Sequence, residues 1–328
     1  MKIGIAYDTS EMYNLSSSND LYFDFAEITS INVLKQEIES LGHQVELLGN
    51  TENILQLLQK GSFSCDLVYN TVEGIRSRNR EGLLPSLLEL HNISYIGTDA
   101  YGLSFTLDKA MTKILAEHLH ILTPRFFVAT CQQSHNYIDE NLKKMKLPII
   151  IKPNYEGNSS GICVCNSYES AHSKVMQMLT RYHSSILCEE FILGKEITVP
   201  IIGNSSDEII YGITTVDIQK SDDFWLDLNC KLFGDYKNII LDVSEELKEK
   251  FKTISLNMFQ AVGCKDFARF DFRLTSDNKI YFIEINPLPA LFKGGSFDIV
   301  GQQHGYSFAE TIQLLITNAC KRLSIPKI

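Results

Sequence analysis

The chain has 328 residues, of which 44% are hydrophobic and 21% charged, and its formal net charge is −10. This length and composition predict a globular protein of two or three domains and exclude a disordered chain. No run approaches the roughly 18 apolar residues of a membrane-spanning helix, and the first residues, MKIGIAYD, predict a first strand rather than a signal peptide. The acidic balance argues against a large nucleic-acid-binding surface. We therefore expect a cytoplasmic protein with no nucleic-acid or membrane partner.

The first hundred residues alternate strand and helix patterns. The short apolar runs KIGIAY, QVELL and DLVYN are separated by helical spacing over 26–41 and 54–58. Such alternation is typical of an open α/β sheet, which binds ligands in loops at the carboxyl ends of its strands. The polar segment 9–20 predicts one such loop. The segment 73–81 is rich in charge, and its simplest interpretation is a solvent-exposed loop.

The middle of the chain predicts a compact α+β unit. Apolar spacing over 103–120 predicts one helix with Lys109 and Lys113 on the same face, and strand and helix patterns then alternate as far as SILCEEFI. Lys152 ends the apolar strand PIIIK, and the loop PNYEGNSSG follows it. Small residues let backbone N–H groups approach phosphate oxygens, so the loop is either a phosphate loop or an ordinary turn. It lacks the GxxxxGK[ST] spacing of the P-loop.

Two strand-like runs near the carboxyl end, FARFDFRL and IYFIEIN, flank Ser276–Lys279 and predict a β-hairpin. With a four-residue loop, Asp271 lies opposite Glu284 and Arg269 lies opposite Asn286, because side chains alternate along each strand. Facing carboxylates repel unless a cation lies between them, and carboxylate and amide oxygens suit Mg²⁺. The alternative is the exposed polar face of an ordinary hairpin.

Three further segments complete the chain. The polar segment 220–237 has the composition of a mobile flap and contains Lys231. Helical spacing predicts helices over 245–262 and 307–322. Between Asn286 and the last helix we expect only a turn.

Four features therefore occur in chain order: a helix lysine, a strand lysine before a Gly/Ser loop, a Glu-rich strand end and an Asp…Glu-x-Asn hairpin. They are carried by LDKAMTK, KPNYEGNSSGI, CEEFILGKEITV and ARFDFRLTSDNKIYFIEINPLP. In this order they resemble the ATP-grasp superfamily, and within it the D-alanine:D-alanine ligase-like carboxylate–amine ligases. The resemblance covers nearly the whole chain. It implies an N-terminal open α/β domain, 1–100, followed by two α+β subdomains, 101–190 and 191–328, that sandwich ATP.

The resemblance also implies a nucleotide site. Glu189 would accept a hydrogen bond from the adenine amino group, Phe191 and Ile192 would line the base pocket, and Glu196 would hold the ribose hydroxyls. The full set of residues that would contact ATP is Lys109, Lys152, Glu189, Phe191, Ile192, Glu196 and Lys231.

The implied reaction is phosphoryl transfer from ATP to a carboxylate, followed by attack of an amine on the acyl phosphate. A carboxylate is a poor acyl donor until phosphorylation creates a leaving group, and metal ions neutralise the crowded charge. Two Mg²⁺ ions, with Mn²⁺ as an alternative, would be held by Asp271, Glu284 and Asn286. The catalytic residues would be Arg269, Lys231 and Ser159. A small carboxylate and a small amine would be the partners, and the resemblance leaves a homodimer open.

The segments that would contact the first substrate depart from those of the cell-wall ligases. No residue clearly matches the glutamate expected after the first strand, and Asp24 and Glu27 are the candidates. The EGSS loop reads EGNS, the flap tyrosine is Leu232, and the HG…GEDG segment reads EGIRSRNRE. The other substrate candidates are Glu73, Arg78, Arg80 and Ser296.

We therefore expect an ATP-dependent carboxylate–amine ligase whose substrates are not those of peptidoglycan synthesis. Its expected substrates are amino acids, a small peptide or a natural-product precursor. The arginines predict a first substrate that is larger or more acidic than alanine. A true D-alanine:D-alanine ligase and a non-catalytic nucleotide-binding scaffold are the alternatives.

Overall fold

The computed structural model describes residues 1–15, 25, 27–157, 161–205, 208–217 and 237–325. The strands are β1 (Lys2–Ala6), β2 (Gln44–Gly49), β3 (Leu67–Asn70), β4 (Tyr95–Ile96), β5 (Phe126–Ala129), β6 (Ile149–Pro153), β7 (Cys163–Cys165), β8 (Ile186–Glu190), β9 (Lys195–Ile202), β10 (Ile210–Tyr211), β11 (Thr214–Asp217), β12 (Lys237–Ile240), β13 (Phe267–Leu274) and β14 (Ile280–Asn286). The helices are α1 (Ile28–Ser40), α2 (Thr51–Gln59), α3 (Leu83–Leu90), α4 (Ala100–Leu107), α5 (Lys109–His118), α6 (His135–Lys143), α7 (Tyr168–Tyr182), α8 (Glu245–Val262), α9 (Ser296–Gln303) and α10 (Phe308–Leu323).

The amino-terminal part is a parallel sheet in the order β2-β1-β3-β4, which agrees with the predicted α/β alternation. Its strands are rich in branched residues because both faces of a parallel sheet are covered. Ile5 and Leu67 pack in one core with Ile31 of α1 and with Ile312 and Leu315 of α10. The last helix of the chain therefore packs against the first sheet.

The middle part is an antiparallel sheet in the order β5-β8-β6-β7. Ile149 and Ile151 of β6 pack against Ile138 of α6 and Val175 of α7. The third sheet has the order β12-β11-β9-β13-β14, with β10 beside β9, and α8 packs on it through Phe251 and Met258. The predicted hairpin thus forms one side of the third sheet.

The helix predicted over 103–120 is wrong as a single element. The backbone at Asp108 is extended, with φ −82° and ψ 93°, and separates α4 from α5. The Asp108 carboxylate accepts a hydrogen bond from Met111 N and caps α5, a role that aspartate commonly has. Asn154, beyond β6, donates to the same carboxylate over 2.7 Å. The break makes Lys109 the first residue of α5.

Two helices were missed. The segment after Asn286 contains α9, and α3 follows the charged segment 73–81. Each has only eight residues, too few for helical periodicity to stand out.

A buried carboxylate joins three distant parts of the chain. Asp266 is fully buried, and its Oδ2 accepts a hydrogen bond from Gly97 N over 2.9 Å. Asn204 donates to its Oδ1 over 2.8 Å. Arg322 of α10 donates to both oxygens, over 3.0 and 2.7 Å. The charge of Asp266 is thus compensated by the last helix.

Arg322→Met should lower the free energy of unfolding by about 2 kcal/mol, because Asp266 would keep only neutral donors and hydrogen bonds to charged groups are the stronger kind. Urea unfolding measures the change. Lys321→Met is the matched control, since Lys321 pairs with Glu208 at the surface and such pairs contribute little. Equal effects of the two substitutions would contradict the role of Arg322.

Candidate active site

The hairpin of β13 and β14 has the predicted pairing at the end that lies away from its turn. Asp271 lies opposite Glu284, and Arg269 lies opposite Asn286. This places two carboxylates, an amide and a guanidinium next to one another. The pairing across the end of the hairpin is therefore confirmed.

The predicted four-residue loop is wrong. The connection is the five-residue segment Thr275–Lys279, and the register shifts after Asp271, where Ile283 is an extra residue of β14. This bulge offsets the extra loop residue, so the pairing further along is unchanged. It also turns Glu284 away from the face of Phe282, which is fully buried in the core. The bulge therefore allows a core strand to end in a polar site.

A cleft of about 230 Å³ covers this end of the hairpin. The predicted site residues that line it are Glu73, Lys109, Glu196, Arg269, Asp271, Glu284, Asn286 and Ser296. Five of them lie on strands of the third sheet, whereas Glu73, Lys109 and Ser296 lie on helices or connections outside it. The fold therefore brings together residues that are far apart in the chain.

The charges at the hairpin compensate one another. Arg269 donates to both Asp271 oxygens, with Nη2 2.9 Å from Oδ2 and Nε 3.1 Å from Oδ1. Thr198 of β9 donates to Asp271 Oδ1 over 3.1 Å. Burial lowers the pKa of Arg269, but Asp271, Glu284 and Glu196 outweigh burial and raise it. The guanidinium therefore stays charged within the cleft.

Lys109 lies between the hairpin and the loop after β6. Its Nζ is 3.9 Å from Glu284 Oε2, and it donates a short hydrogen bond to Glu156 O. Because the break at Asp108 places Lys109 at the start of α5, the side chain reaches both groups. The lysine is 12% exposed, so a ligand in the cleft would still have access to it.

A second charged cluster lies deeper, beside β8. Glu189 is 2.5 Å from Lys152 Nζ through Oε1 and 2.8 Å from Lys113 Nζ through Oε2. All three side chains are almost fully buried. Burial would raise the pKa of Glu189, but Lys113 and then Lys152 outweigh it and hold the pKa below its usual range. Burial lowers the pKa of Lys113, and Lys152 adds to that effect.

Lys113 was not among the predicted site residues. Its Nζ also lies 3.1 Å from Thr123 Oγ1, which in turn donates to Phe282 O on β14. Helical spacing places Lys113 on the face of Lys109, and that was the signal available. Spacing alone cannot show which lysine of a helix is buried.

The connection between β8 and β9 carries the residues expected beside the base and ribose. Phe191 and Ile192 are half-buried, and Phe191 N donates to Pro148 O. Glu196 lines the cleft and pairs with Arg273. Arg273 was also missed, because nothing in FARFDFRL distinguishes it from a solvent-facing residue.

The segment 73–81 is not a solvent-exposed loop throughout. Arg80 and Glu81 are 3% and 8% exposed. Arg80 donates from Nη1 to Tyr155 O over 2.6 Å, and its Nη2 is 3.6 Å from Glu156 Oε2. Arg78 is exposed, with its guanidinium carbon 5.8 Å from the centre of the Tyr155 ring. Both arginines therefore contact the loop after β6.

Asp8 is a further residue that the sequence analysis missed. It is fully buried, and it accepts hydrogen bonds from Glu73 N over 3.1 Å, Gly74 N over 2.7 Å and the Tyr13 hydroxyl over 3.0 Å. Burial raises the pKa of Asp8, although these donors oppose the rise. Asp8 thus fixes the backbone of Glu73 at the edge of the cleft.

The other candidates lie elsewhere. Glu27 precedes α1, is exposed and accepts from the Thr29 hydroxyl, and it does not line the cleft. Asp24, Ser159 and Lys231 lie outside the described residues, as do Asn158 and Leu232.

Comparison with known proteins identifies the family. Residues 117–317 match the family model described as the D-ala D-ala ligase C-terminus, which is more than half of the chain. The chain belongs to this ligase family. The resemblance inferred from the four sequence features is therefore confirmed.

Relatives of this ligase-family chain match along most of its length. The D-alanine–D-alanine ligase of Aquifex aeolicus is 28% identical over 285 residues, which are 85% of this chain and 91% of that protein. An uncharacterised protein of Sinorhizobium fredii is 24% identical, over 87% of this chain and 85% of that protein. The crystal structure of the Bacillus anthracis D-alanine–D-alanine ligase complexed with ATP has a TM-score of 0.77 at 19% identity, and the match covers 98% of both chains.

The structural match confirms the predicted ATP-grasp fold, an α/β domain followed by α+β parts. Family membership makes the chain an ATP-dependent enzyme that forms carbon–nitrogen bonds. Among the helices of the described residues, none has the length and apolar character needed to cross a membrane. The exact domain boundaries stay a prediction.

The hairpin residues fit a hard metal ion. Asp271 and Glu284 offer carboxylate oxygens, and Asn286 Oδ1 is held in place by Leu288 N, which donates to it over 2.9 Å. A carbonyl oxygen can accept a second partner, so Asn286 can also bind a cation. Within the described ranges no group of three or more His, Cys, Asp or Glu residues is placed to hold a metal ion by itself. A set of two carboxylates and an amide suits Mg²⁺, which keeps water and phosphate oxygens in its shell.

Proposed function

We propose that this ligase transfers the terminal phosphoryl group of ATP to a substrate carboxylate, and that an amine then attacks the acyl phosphate. The observation that carries the proposal is the convergence of Lys109, Arg269, Asp271, Glu284 and Asn286 in one cleft. Phosphoryl transfer needs cationic side chains, here Lys109 and Arg269, and a set of oxygen ligands for a metal ion, because its transition state spreads negative charge over several oxygens.

The residues of the cleft would divide the work by position. Mg²⁺ bound to Asp271, Glu284 and Asn286 would neutralise the phosphate charge. Arg269, fixed by hydrogen bonds to both Asp271 oxygens, would face the transferring group with its charge already oriented. Lys109 would reach the phosphates from the start of α5. We also keep Lys231 and Ser159 as proposed catalytic residues.

The deeper cluster would bind the rest of ATP. Two ammonium groups surround one carboxylate, so the buried cluster of Lys113, Lys152 and Glu189 has an excess of one positive charge. Such an excess favours a polyanion such as a nucleotide triphosphate. We propose that Glu189 accepts from the adenine amino group, that Phe191 and Ile192 contact the base, and that Glu196 binds the ribose.

The substrate end differs from the initial expectation. Arg80 contacts Tyr155 and Glu156, so its observed role is to hold the loop after β6. The arginines therefore give less support to an acidic first substrate than the sequence indicated. Glu73 and Ser296 line the cleft, and we propose them for the first substrate and the amine, respectively. Arg78, Arg80, Asp24 and Glu27 stay predictions, as do a cytoplasmic location and a homodimer.

A specific observation favours a second candidate function, the synthesis of D-alanyl-D-alanine. The Aquifex aeolicus protein, which matches 85% of this chain, is a D-alanine–D-alanine ligase. The departures in EGNS, Leu232 and EGIRSRNRE argue against it, because leucine cannot replace the hydrogen bond of a tyrosine hydroxyl.

An ADP-release screen with ATP, Mg²⁺ and pairs of D- and L-amino acids and dipeptides tests the two candidates. With at least one pair, we expect the enzyme to release ADP about tenfold faster than it does with D-alanine alone. The reason is that the hydrogen bond lost in the closed site with D-alanine costs about 1.4 kcal/mol. Mass spectrometry of the product, with the Glu284→Gln variant as the inactive control, identifies the amide. D-Alanyl-D-alanine as the most rapidly formed product would contradict the proposed substrate choice.

A further inference from the structure

Arg273 contacts the connection between β8 and β9 at two points and the start of β9 at a third. It lies on β13 directly opposite Glu196, and its Nη2 is 3.3 Å from Glu196 Oε2. Its Nη1 donates to Gly194 O over 2.9 Å, and its guanidinium carbon lies 5.6 Å from the centre of the Phe191 ring. One buried side chain therefore contacts the residue proposed for the ribose, the residue proposed for the base and the backbone between them.

The connection lies tightly against β13. Gly194 has a φ of 150°, and a Cβ at this position would lie 2.3 Å from Leu274 O. The close approach brings Gly194 O within reach of the guanidinium. A planar guanidinium can bind a carbonyl and a carboxylate at once in fixed directions, which a lysine ammonium cannot do as well. Arg273 thus presents a donor to the Glu196 carboxylate from a fixed direction.

We propose that Arg273 is a positioning residue that selects the nucleotide: it holds the Glu196 carboxylate where the ribose hydroxyls can donate to it. The inference rests on the proposed function, in which Glu196 binds the ribose. Glu196 lines the cleft whereas Arg273 does not, so Arg273 acts through Glu196 and not by contact with ATP.

Calorimetric titration with Mg²⁺ and ATP, 2′-deoxyATP or 3′-deoxyATP tests this without a known substrate. We expect the wild type to bind ATP about tenfold more tightly than at least one deoxy analogue, because the missing hydroxyl donates to a charged acceptor. Arg273→Met should reduce this preference to about threefold or less, because a misplaced carboxylate accepts poorly. Arg181→Met is the matched control, since Arg181 lies 5.6 Å from the Tyr182 ring on the exposed side of α7.

The Glu196→Gln variant distinguishes a failure of the proposed ribose contact from a failure of the inference about Arg273. If Glu196→Gln keeps the wild-type preference, Glu196 does not bind the ribose, and both that part of the proposed function and the inference are wrong. If Glu196→Gln loses the preference and Arg273→Met keeps it, only the inference is overturned. Equal weakening of all three nucleotides by Arg273→Met would also overturn it, because a structural role alone predicts that result. Should circular dichroism show Arg273→Met unfolded, Arg273→Lys is measured instead, and an unchanged preference overturns the inference.

Discussion

Asp271→Asn and Glu284→Gln should each lower Mg²⁺-dependent ADP release on the order of 100-fold or more while the protein stays folded. Each substitution removes the charge of a proposed metal ligand and keeps the side-chain size. Metal neutralisation of the transferring phosphoryl group is worth several kcal/mol, and about 1.4 kcal/mol corresponds to a factor of ten in rate. The rate is measured with the best substrate pair of the screen, and circular dichroism checks the fold.

Asp277→Asn is the matched control for these two variants. Asp277 lies in the turn of the same hairpin, is 59% exposed and pairs with the neighbouring turn residues Lys279 and Thr275. Its substitution should change ADP release by less than about twofold, since exposed ion pairs contribute little. Normal turnover in both Asp271→Asn and Glu284→Gln would contradict the metal assignment.

Glu189→Gln should lower the free energy of unfolding by about 3–5 kcal/mol, because it leaves Lys113 and Lys152 buried without a counter-charge. Urea unfolding at neutral pH measures the loss. The next residue gives a matched control: Glu190 Oε1 accepts from Lys146 N over 2.8 Å, and a glutamine oxygen can accept the same hydrogen bond. Glu190→Gln should therefore change stability by less than about 1 kcal/mol.

The effect of Glu189→Gln should depend on pH in one direction. The folded protein holds the pKa of Glu189 below its ordinary value of 4.5, so ionised Glu189 stabilises the fold at neutral pH. This contribution is lost as the pH falls below 4.5 and through the folded-state pKa. The stability difference between wild type and variant should shrink over that range. A difference that is constant from neutral to acid pH would contradict the ionised cluster.

The sequence predicted the centre of the site better than its surroundings. The pairing of Asp271 with Glu284 could be predicted because a hairpin is local and side chains alternate along strands. The predicted loop was one residue too short, but the extra residue at the Ile283 bulge offsets this error, so the predicted pairing of Asp271 with Glu284 is still right. A bulge depends on the packing of Phe282 in the core, which the local pattern does not contain.

Long-range partners could not be predicted. Lys113 and Lys152 meet Glu189 only because α5, β6 and β8 are adjacent in space. Arg80 looked solvent-exposed because its neighbours are polar, yet it is buried against Tyr155 from a distant loop. Asp8 gave no signal either, because a single aspartate after a strand is common in loops. Such residues become visible only when the sheets are assembled.

The central claim, an acyl-phosphate intermediate, can be tested by following one oxygen atom. The carboxylate substrate found in the screen is labelled with the heavy isotope of oxygen, and the inorganic phosphate formed with the amide is analysed by mass spectrometry. If the carboxylate attacks the terminal phosphate, one labelled oxygen passes to phosphate when the amine displaces it. The account predicts one labelled oxygen in each phosphate formed, in the same amount as the amide. Amide formation with entirely unlabelled phosphate would contradict it.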